Sequence, residues 1–172
     1  MLFRSGPYGL AVASRIPITA AAELAPHARG TVLRVVLSGD VQLLVAHPPP
    51  PFTAERLAQQ RSACAALAAH ADARTIVAGD FNCTPYAPAF AELLRAGRLT
   101  DTAPGPLHVP TWGPLLNLLP IDHVLCGDAF AVATHRVLDR LGSDHAALLV
   151  ELHLRARPPV ASRAAGIEST PP

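Results

Sequence analysis

The sequence contains no lysine, and only 16% of its 172 residues are charged. All 14 basic residues are arginines scattered along the chain, and the formal net charge is +1. This distribution excludes a broad positive surface, so a nucleic acid would have to be recognised by local geometry. Half of the residues are hydrophobic, which is typical of a folded domain and excludes a disordered chain.

Cysteines and long apolar runs are also few. The three cysteines, Cys64, Cys83 and Cys126, have no metal-binding spacing, and their odd number argues against a full disulfide framework. No apolar run reaches the roughly 18 residues of a membrane span, and residues 10–13 are too short for the core of a signal peptide. We therefore expect the chain as given to be soluble, cytoplasmic and monomeric, while a longer parent protein could carry a membrane anchor.

Apolar periodicity predicts strands that outnumber helices. Residues 31–37 and 41–46 are predicted as a hairpin, Thr53 as the cap of a helix to about residue 71, and Pro88 as the start of a helix to Gly97. Further strands are predicted at residues 9–14, 75–78, 121–125, 129–137 and 146–154. Two packed sheets with flanking helices fit this order better than a doubly wound parallel sheet. We place one α+β domain at residues 1–154 and a disordered tail at residues 155–172.

Polar side chains lie near the ends of the predicted strands, where they can converge on one rim. The four sites are His47, Gly79-Asp80-Phe81-Asn82, Ile121-Asp122-His123 and Ser143-Asp144-His145. Each has an ordinary structural explanation when taken alone, such as a turn, a cap or a core histidine. Together, four such sites in this order favour a functional rim.

Asp80 and Asn82 follow a short apolar strand. In an extended backbone, residues two apart point to the same side, so a carboxylate and a carboxamide would lie together. The carboxylate would hold a cation or a water, and the carboxamide would donate to a developing oxyanion. The alternative is an Asx turn that only closes the strand.

Asp122 interrupts an otherwise apolar strand, where a carboxylate is costly to bury without a partner. A histidine is its natural partner, because an Asp–His pair selects one imidazole tautomer and raises its basicity. Asp144 and His145 are adjacent at the start of the last strand, so their side chains should point to opposite faces.

The order His-x-Pro, Gly-Asp-Phe-Asn, Thr-Trp, Ile-Asp-His-Val and Ser-Asp-His resembles the endonuclease/exonuclease/phosphatase superfamily. This superfamily includes DNase I-like nucleases, abasic-site endonucleases, inositol polyphosphate 5-phosphatases and neutral sphingomyelinases. The resemblance runs from about Gly9 to Leu154. It implies a four-layer α/β/β/α sandwich of two mainly antiparallel sheets. It also implies a Mg²⁺-dependent hydrolase of phosphate esters, with Mn²⁺ as a substitute. Nucleic acids, inositol phosphates and lipid headgroups are all compatible substrates.

The resemblance implies a role for each matching residue. Asp144 is similar to a metal ligand, Asp80 to the residue that orients or deprotonates the attacking water near the metal, and Asn82 to a hydrogen-bond donor in the transition state. His145 is similar to the histidine that contacts the scissile phosphate, and Asp122 to the carboxylate that holds it.

His47 matches a histidine that protonates the leaving group in some branches of the family. Trp112 resembles part of a loop near the pocket rim, where core packing and substrate stacking are both open. Arg15 lies in a Ser-Arg-Ile-Pro turn and could contact phosphate, although a solvated arginine is the alternative. We expect His123 to be structural, because it is adjacent to Asp122 and should face the opposite side.

The sequence departs from the family pattern near its N-terminus. Family members begin with a strand bearing an Asn and a later strand ending in a Glu that binds the metal. The acidic residues before residue 80, which are Glu23, Asp40, Glu55 and Asp72, include no such Glu, and we assign the first three to a loop, a turn and a helix. We interpret the chain as lacking the first strands of the family fold, as a truncated product whose activity is weakened.

Two other hypotheses stay open. One is a catalytically inactive binding or scaffold module of the same fold. The other is a zinc hydrolase using His47, His123, Asp144 and His145, whose spacing is unlike that of helix-borne zinc motifs.

Overall fold

The computed structural model describes residues 2–3, 9–24, 32–105, 110–113 and 118–156. In this part of the chain, ten strands and two helices follow one another. They are β1 (Leu2–Phe3), β2 (Ala11–Val12), β3 (Ile18–Leu24), β4 (Val32–Leu37), β5 (Val41–Ala46), α1 (Ala54–His70), β6 (Thr75–Asp80), α2 (Pro88–Gly97), β7 (Thr100–Asp101), β8 (Asp122–Cys126), β9 (Phe130–Val137) and β10 (Leu148–Leu154).

A mixed six-stranded sheet forms the centre of the described structure, with strand order β3-β4-β5-β6-β8-β7. Only β5 and β6 run parallel in it, and α1 makes the crossover between them. Strands β9 and β10 form a separate antiparallel pair, as do β1 and β2. This arrangement confirms the predicted α+β class with mainly antiparallel sheets.

The hairpin of β4 and β5 confirms the prediction from turn chemistry. The two strands pair antiparallel, with Leu37 opposite Val41. Gly39 and Asp40 in the connecting turn have φ of +87° and +58°. Glycine adopts such angles freely, and aspartate is among the few other residues that tolerate them.

Both helices pack on one face of the central sheet. Thr53 caps α1 by accepting a hydrogen bond at its Oγ1 from the N–H of Arg56, at 3.2 Å, as predicted. The core under the helices consists mainly of Leu44, Cys64, Leu67, Val77, Phe81, Phe90, Leu93 and Leu125. A second apolar cluster, formed by β4, β2 and the residue before β2, contains Leu10, Val12, Leu33, Val35 and Leu37.

Three strands, β1, β3 and β7, were missed by the prediction. Strand β3 has the sequence Ile-Thr-Ala-Ala-Ala-Glu-Leu and is largely exposed at the sheet edge. Alanine is depleted in strands and an exposed edge needs no apolar alternation, so no strand signal arises. Glu23 therefore lies in a strand and not in a loop, which corrects that prediction. Strands β1 and β7 have only two residues each, too few for a pattern.

Other boundaries differ by a few residues. Strand β6 extends through Asp80, so this carboxylate belongs to the strand itself and does not follow it. Residues 157–172 of the predicted tail lie outside the described part of the chain. Neither described helix has the length and apolar character needed to cross a membrane.

Candidate active site

The topology of the central sheet brings three strand ends to one edge. Strands β5 and β6 are parallel, so His47 after β5 and Asp80 at the end of β6 lie at the same edge. Strand β8 is antiparallel to β6, and its first residue, Asp122, pairs directly with Asp80. Two carboxylates therefore face each other on adjacent strands, where like charges repel.

Gly79 allows the close approach that places Asp80 beside His47. Its φ is +149°, and a Cβ atom there would lie 1.9 Å from the carbonyl oxygen of Ala46. No side chain fits this contact, so only glycine permits it. The glycine of the Gly-Asp-Phe-Asn motif thus has a packing reason that is independent of chemistry.

Asp122 and His145 form a hydrogen-bonded pair, as the sequence indicated. His145 Nδ1 lies 2.8 Å from Asp122 Oδ2, and the Thr111 hydroxyl donates to the same oxygen at 2.6 Å. An ionised carboxylate can only accept, so Nδ1 carries the hydrogen. The other ring nitrogen of His145, Nε2, faces the Asp80 carboxylate. In this geometry Asp122 determines both the orientation and the tautomer of the imidazole.

Thr111 is a site residue to which the sequence analysis gave no role of its own. It is 1% exposed. Its Oγ1 also accepts from the N–H groups of Ile121 and Asp122, at 3.3 and 3.2 Å. Its carbonyl accepts from the N–H of Ala146 at 2.7 Å, which ties the segment bearing His145 to the start of β8. The Thr-Trp motif was the sequence feature that could have pointed to Thr111 as a site residue.

Asp80 lies between two imidazoles. Its Oδ2 is 3.5 Å from His47 Nε2 and 3.9 Å from His145 Nε2. Burial raises the pKa of Asp80 above its ordinary value of 3.8, and the charge of Asp122 adds to this. The N–H of Asn82 and the two histidines act in the opposite direction. The balance makes Asp80 a more basic carboxylate than one in water.

Asn82 lies near Asp80 for a different reason from the one predicted. Its φ is +48°, so the backbone is left-handed there and the argument from extended geometry was wrong. Its N–H donates to Asp80 Oδ1 at 2.8 Å, which is the Asx turn of the alternative interpretation. Its Nδ2 donates to the carbonyl of Pro48 at 2.9 Å, next to His47.

Asp144 is adjacent to His145 but forms its hydrogen bond with Trp112 and not with the Asp122–His145 pair. Its Oδ2 accepts from the indole Nε1 of Trp112 at 3.1 Å, and this bond is the main cause that lowers the pKa of Asp144. The Trp112 ring centroid is 6.3 Å from that of His145. Trp112 thus lies partly exposed at the rim, beside the Asp144 and His145 side chains of the Ser-Asp-His motif.

His123 is not part of this cluster, and none of the rim contacts given above includes Arg15. Arg15 is exposed in the bend before β3. His123 faces the other side of β8, as predicted, where it is 3% exposed and packs against Phe81 and Phe90. The zinc hypothesis required His123 beside His145, and the structure places them on opposite faces of the sheet.

Three described residues could hold a metal ion. Asp80, Asp122 and His145 each offer one ligand atom, and these atoms all lie within 4.8 Å of one another. Asp144 is not a member of this group. A cation fits the set, because it would relieve the repulsion between the two opposed carboxylates.

Cys83, next to the motif, is buried, and burial raises the pKa of its thiol to about 12. The thiol is therefore protonated at neutral pH, and Cys83 is not a reactive nucleophile in the folded chain.

Comparison with solved structures shows the same fold in several proteins. An endonuclease/exonuclease/phosphatase from Beutenbergia cavernae is 24% identical, with a TM-score of 0.67, and the match covers 83% of this chain and 46% of that one. The human Nocturnin catalytic domain with bound sulfate is 16% identical, with a TM-score of 0.60 and coverage of 81% and 60%. A mannosyl-6-phosphatase from Bacteroides thetaiotaomicron is 13% identical, with a TM-score of 0.59 and coverage of 81% and 67%.

The chain thus spans roughly half of the Beutenbergia protein and three fifths of the Nocturnin domain. A comparison with curated proteins gave no match. The family model described as the Endonuclease/Exonuclease/phosphatase family matches residues 3–145. Because this match covers most of the sequence and the fold agrees with it, the chain belongs to the endonuclease/exonuclease/phosphatase family.

Proposed function

We propose that the chain is a divalent-metal-dependent hydrolase of phosphate esters, with its active site at the rim formed by His47, Asp80, Asp122 and His145. The observation that carries this proposal is the pair of Asp122 and His145 at 2.8 Å, directed at Asp80 and a second imidazole. A phosphate ester needs a proton acceptor for water, a proton donor for the leaving group and compensation of negative charge. This set of side chains supports all three.

The metal would be Mg²⁺ or Mn²⁺, held by Asp80 of the group formed by Asp80, Asp122 and His145. We propose Asp144 as a further carboxylate ligand, which would exchange its bond to Trp112 for the ion. When bound, the ion supplies charge compensation for the phosphate and lowers the pKa of a bound water. The side chains have separate tasks, which follow from their hydrogen bonds.

His145 binds the phosphate through Nε2. The Nδ1 hydrogen is held by Asp122, so Nε2 is the ring nitrogen directed at the substrate. When Nε2 is protonated it donates a hydrogen bond to a phosphate oxygen, and the Asp122 carboxylate stabilises the resulting imidazolium. The Thr111 hydroxyl keeps that carboxylate in place.

Asp80 is the proton acceptor for the attacking water. Its raised pKa makes it a stronger base than an exposed aspartate, which favours this role. His47 Nε2, 3.5 Å from Asp80, is placed to give a proton to the departing oxygen. The Nδ2 of Asn82 uses one hydrogen for the Pro48 carbonyl and has a second for developing charge on the phosphate.

Hydrolysis of bis(p-nitrophenyl) phosphate with Mg²⁺ or Mn²⁺ tests the proposal. We expect Asp80→Asn and His145→Ala to lose about 10²- to 10⁴-fold in rate, as removal of an acid or base usually does. His153→Ala is the control, because His153 is exposed on β10 and contacts Glu151 only at the surface. Equal rates in all four proteins would refute an active site at this rim.

A binding module without catalysis is the second candidate, and one observation favours it. In the described residues, the metal-capable group contains Asp122, whose Oδ2 already accepts from His145 and Thr111, and it does not contain Asp144. Mn²⁺ binding, followed through quenching of the single tryptophan, Trp112, separates the candidates. Quenching that is lost in Asp80→Asn supports the enzyme, and its absence in the wild type supports the module.

A further inference from the structure

Three consecutive carbonyls of the loop after β6 accept hydrogen bonds from buried side chains. Gln60 of α1 donates from Nε2 to the carbonyls of Phe81 and Asn82, at 3.1 and 3.0 Å. His123 Nε2, on β8, lies 3.0 Å from the carbonyl of Cys83 in the same loop. A carbonyl only accepts, so this imidazole nitrogen is the donor.

These bonds matter because the loop turns inward at a left-handed residue. Asn82 has φ of +48°, an angle that asparagine tolerates better than most residues but that its surroundings still have to hold. The loop carbonyls point toward the helix layer, where an unpaired carbonyl is costly. The loop conformation that places the Asp80 and Asn82 side chains at the rim therefore depends on hydrogen-bond donors from the buried side chains beneath it.

Gln60 stands out as a polar residue on an apolar helix face. Gln60, Cys64 and Leu67 share the buried side of α1, and Gln60 is 2% exposed. A glutamine seldom lies this deep without a partner. Its carboxamide reaches across from α1 to a loop 21 and 22 residues later in the sequence.

We infer that Gln60 is a positioning residue of the proposed active site, which acts by holding the backbone of Phe81 and Asn82. The inference rests on the proposed function. The same backbone presents the Asn82 N–H to Asp80 Oδ1 and the Asn82 carboxamide to the Pro48 carbonyl. Without the Gln60 donors, the two carbonyls can rotate toward water, and both contacts to the catalytic groups loosen together.

The test compares Gln60→Met with Gln59→Met. Methionine has nearly the volume of glutamine and no N–H donor, so Gln60→Met removes the two bonds without creating a large cavity. Gln59 is the matched control, because its Nε2 bonds Glu55 within α1 and not the loop. Gln60→Asn keeps the carboxamide one methylene shorter and replaces Gln60→Met if that variant does not fold.

The readout is amide hydrogen exchange in the native state, compared between the loop and β5. In Gln60→Met we expect the amides of Phe81 and Asn82 to exchange at least about tenfold faster relative to those of β5, as loss of two hydrogen bonds implies. In Gln59→Met the ratio should equal that of the wild type. An unchanged ratio in both Gln60 variants would overturn the inference.

Hydrolysis rates add a second readout that a merely stabilising residue would not change. Gln60→Met should lower kcat at least about tenfold with little change in KM, measured well below its melting temperature. A kcat equal to that of Gln59→Met, in an active wild type, would also overturn the positioning role. If the wild type hydrolyses nothing, the proposed function fails, and faster loop exchange still supports Gln60 as the residue that holds the loop.

Discussion

Replacement of Gly79 by alanine tests the packing that builds the rim. The new Cβ would lie 1.9 Å from the carbonyl oxygen of Ala46, well over 1 Å inside normal contact, and the backbone angle of +149° would be strained as well. Strain of about 1–3 kcal/mol and overpacking of about 1–3 kcal/mol add up to about 2–6 kcal/mol. A domain of this size has a free energy of unfolding of about 5–15 kcal/mol in total.

Gly39→Ala separates the clash from the strain. Gly39 also has a positive φ, of +87°, but a Cβ there meets no atom within 4 Å. The Gly39→Ala variant should therefore lose only the free energy that comes from backbone strain, about 1–2 kcal/mol. The expected fall in melting temperature is about 5–20 °C for Gly79→Ala and a few degrees for Gly39→Ala.

Thermal unfolding followed by circular dichroism measures both variants. Gly79→Ala should also reduce hydrolysis about a hundredfold, because a shift of about 1 Å between β5 and β6 moves Asp80 relative to His47. Gly39→Ala, in a turn between β4 and β5, should keep its activity. If Gly79→Ala were no less stable than Gly39→Ala, the close approach of the two strands would not be what positions the site.

Two further predictions concern groups at the rim. Thr111→Val should lower the free energy of unfolding by about 2 kcal/mol, because the Ile121 and Asp122 amides and the Asp122 carboxylate lose a buried partner. Denaturant unfolding measures this, and a loss below about 0.5 kcal/mol would contradict it. In metal-free buffer, Asp80→Asn should be more stable than the wild type at neutral pH. The pKa of Asp80 is raised in the folded state, so its stabilising contribution is present below pH 3.8 and is lost as the pH rises through the folded value. The difference should vanish in acid, and a less stable Asp80→Asn at pH 7 would contradict it.

Local patterns were sufficient for much of the fold. The hairpin of β4 and β5, the Thr53 cap and the proline at the start of α2 are signals contained within a few neighbouring residues. Strand β3 was not predicted, because it carries no such local signal. Its alanines carry no strand preference, and its place at the sheet edge comes from pairing with β4.

In the site, too, some features could be predicted from the sequence and others depend on tertiary contacts. The pairing of Asp122 with His145 could be predicted, because a carboxylate in an apolar strand needs a partner and the family resemblance implies His145 as that partner. The turn at Asn82 was foreseen only as the alternative, and its left-handed angle was not, because the loop also bonds Gln60 and His123, which are distant in the sequence. Gln60 itself carried one unused signal, a polar residue at a buried position of an amphipathic helix.

The sequence by itself determined which chemical groups are available, the order in which they occur and the family to which that order belongs. The tertiary structure alone decided that Asp80 faces Asp122 across paired strands, that Thr111 holds the Asp122 carboxylate and that Asp144 bonds Trp112. The reason is physical. A residue's type and neighbours follow from the covalent chain, whereas strand register and the distances between strand ends follow from how the sheet packs.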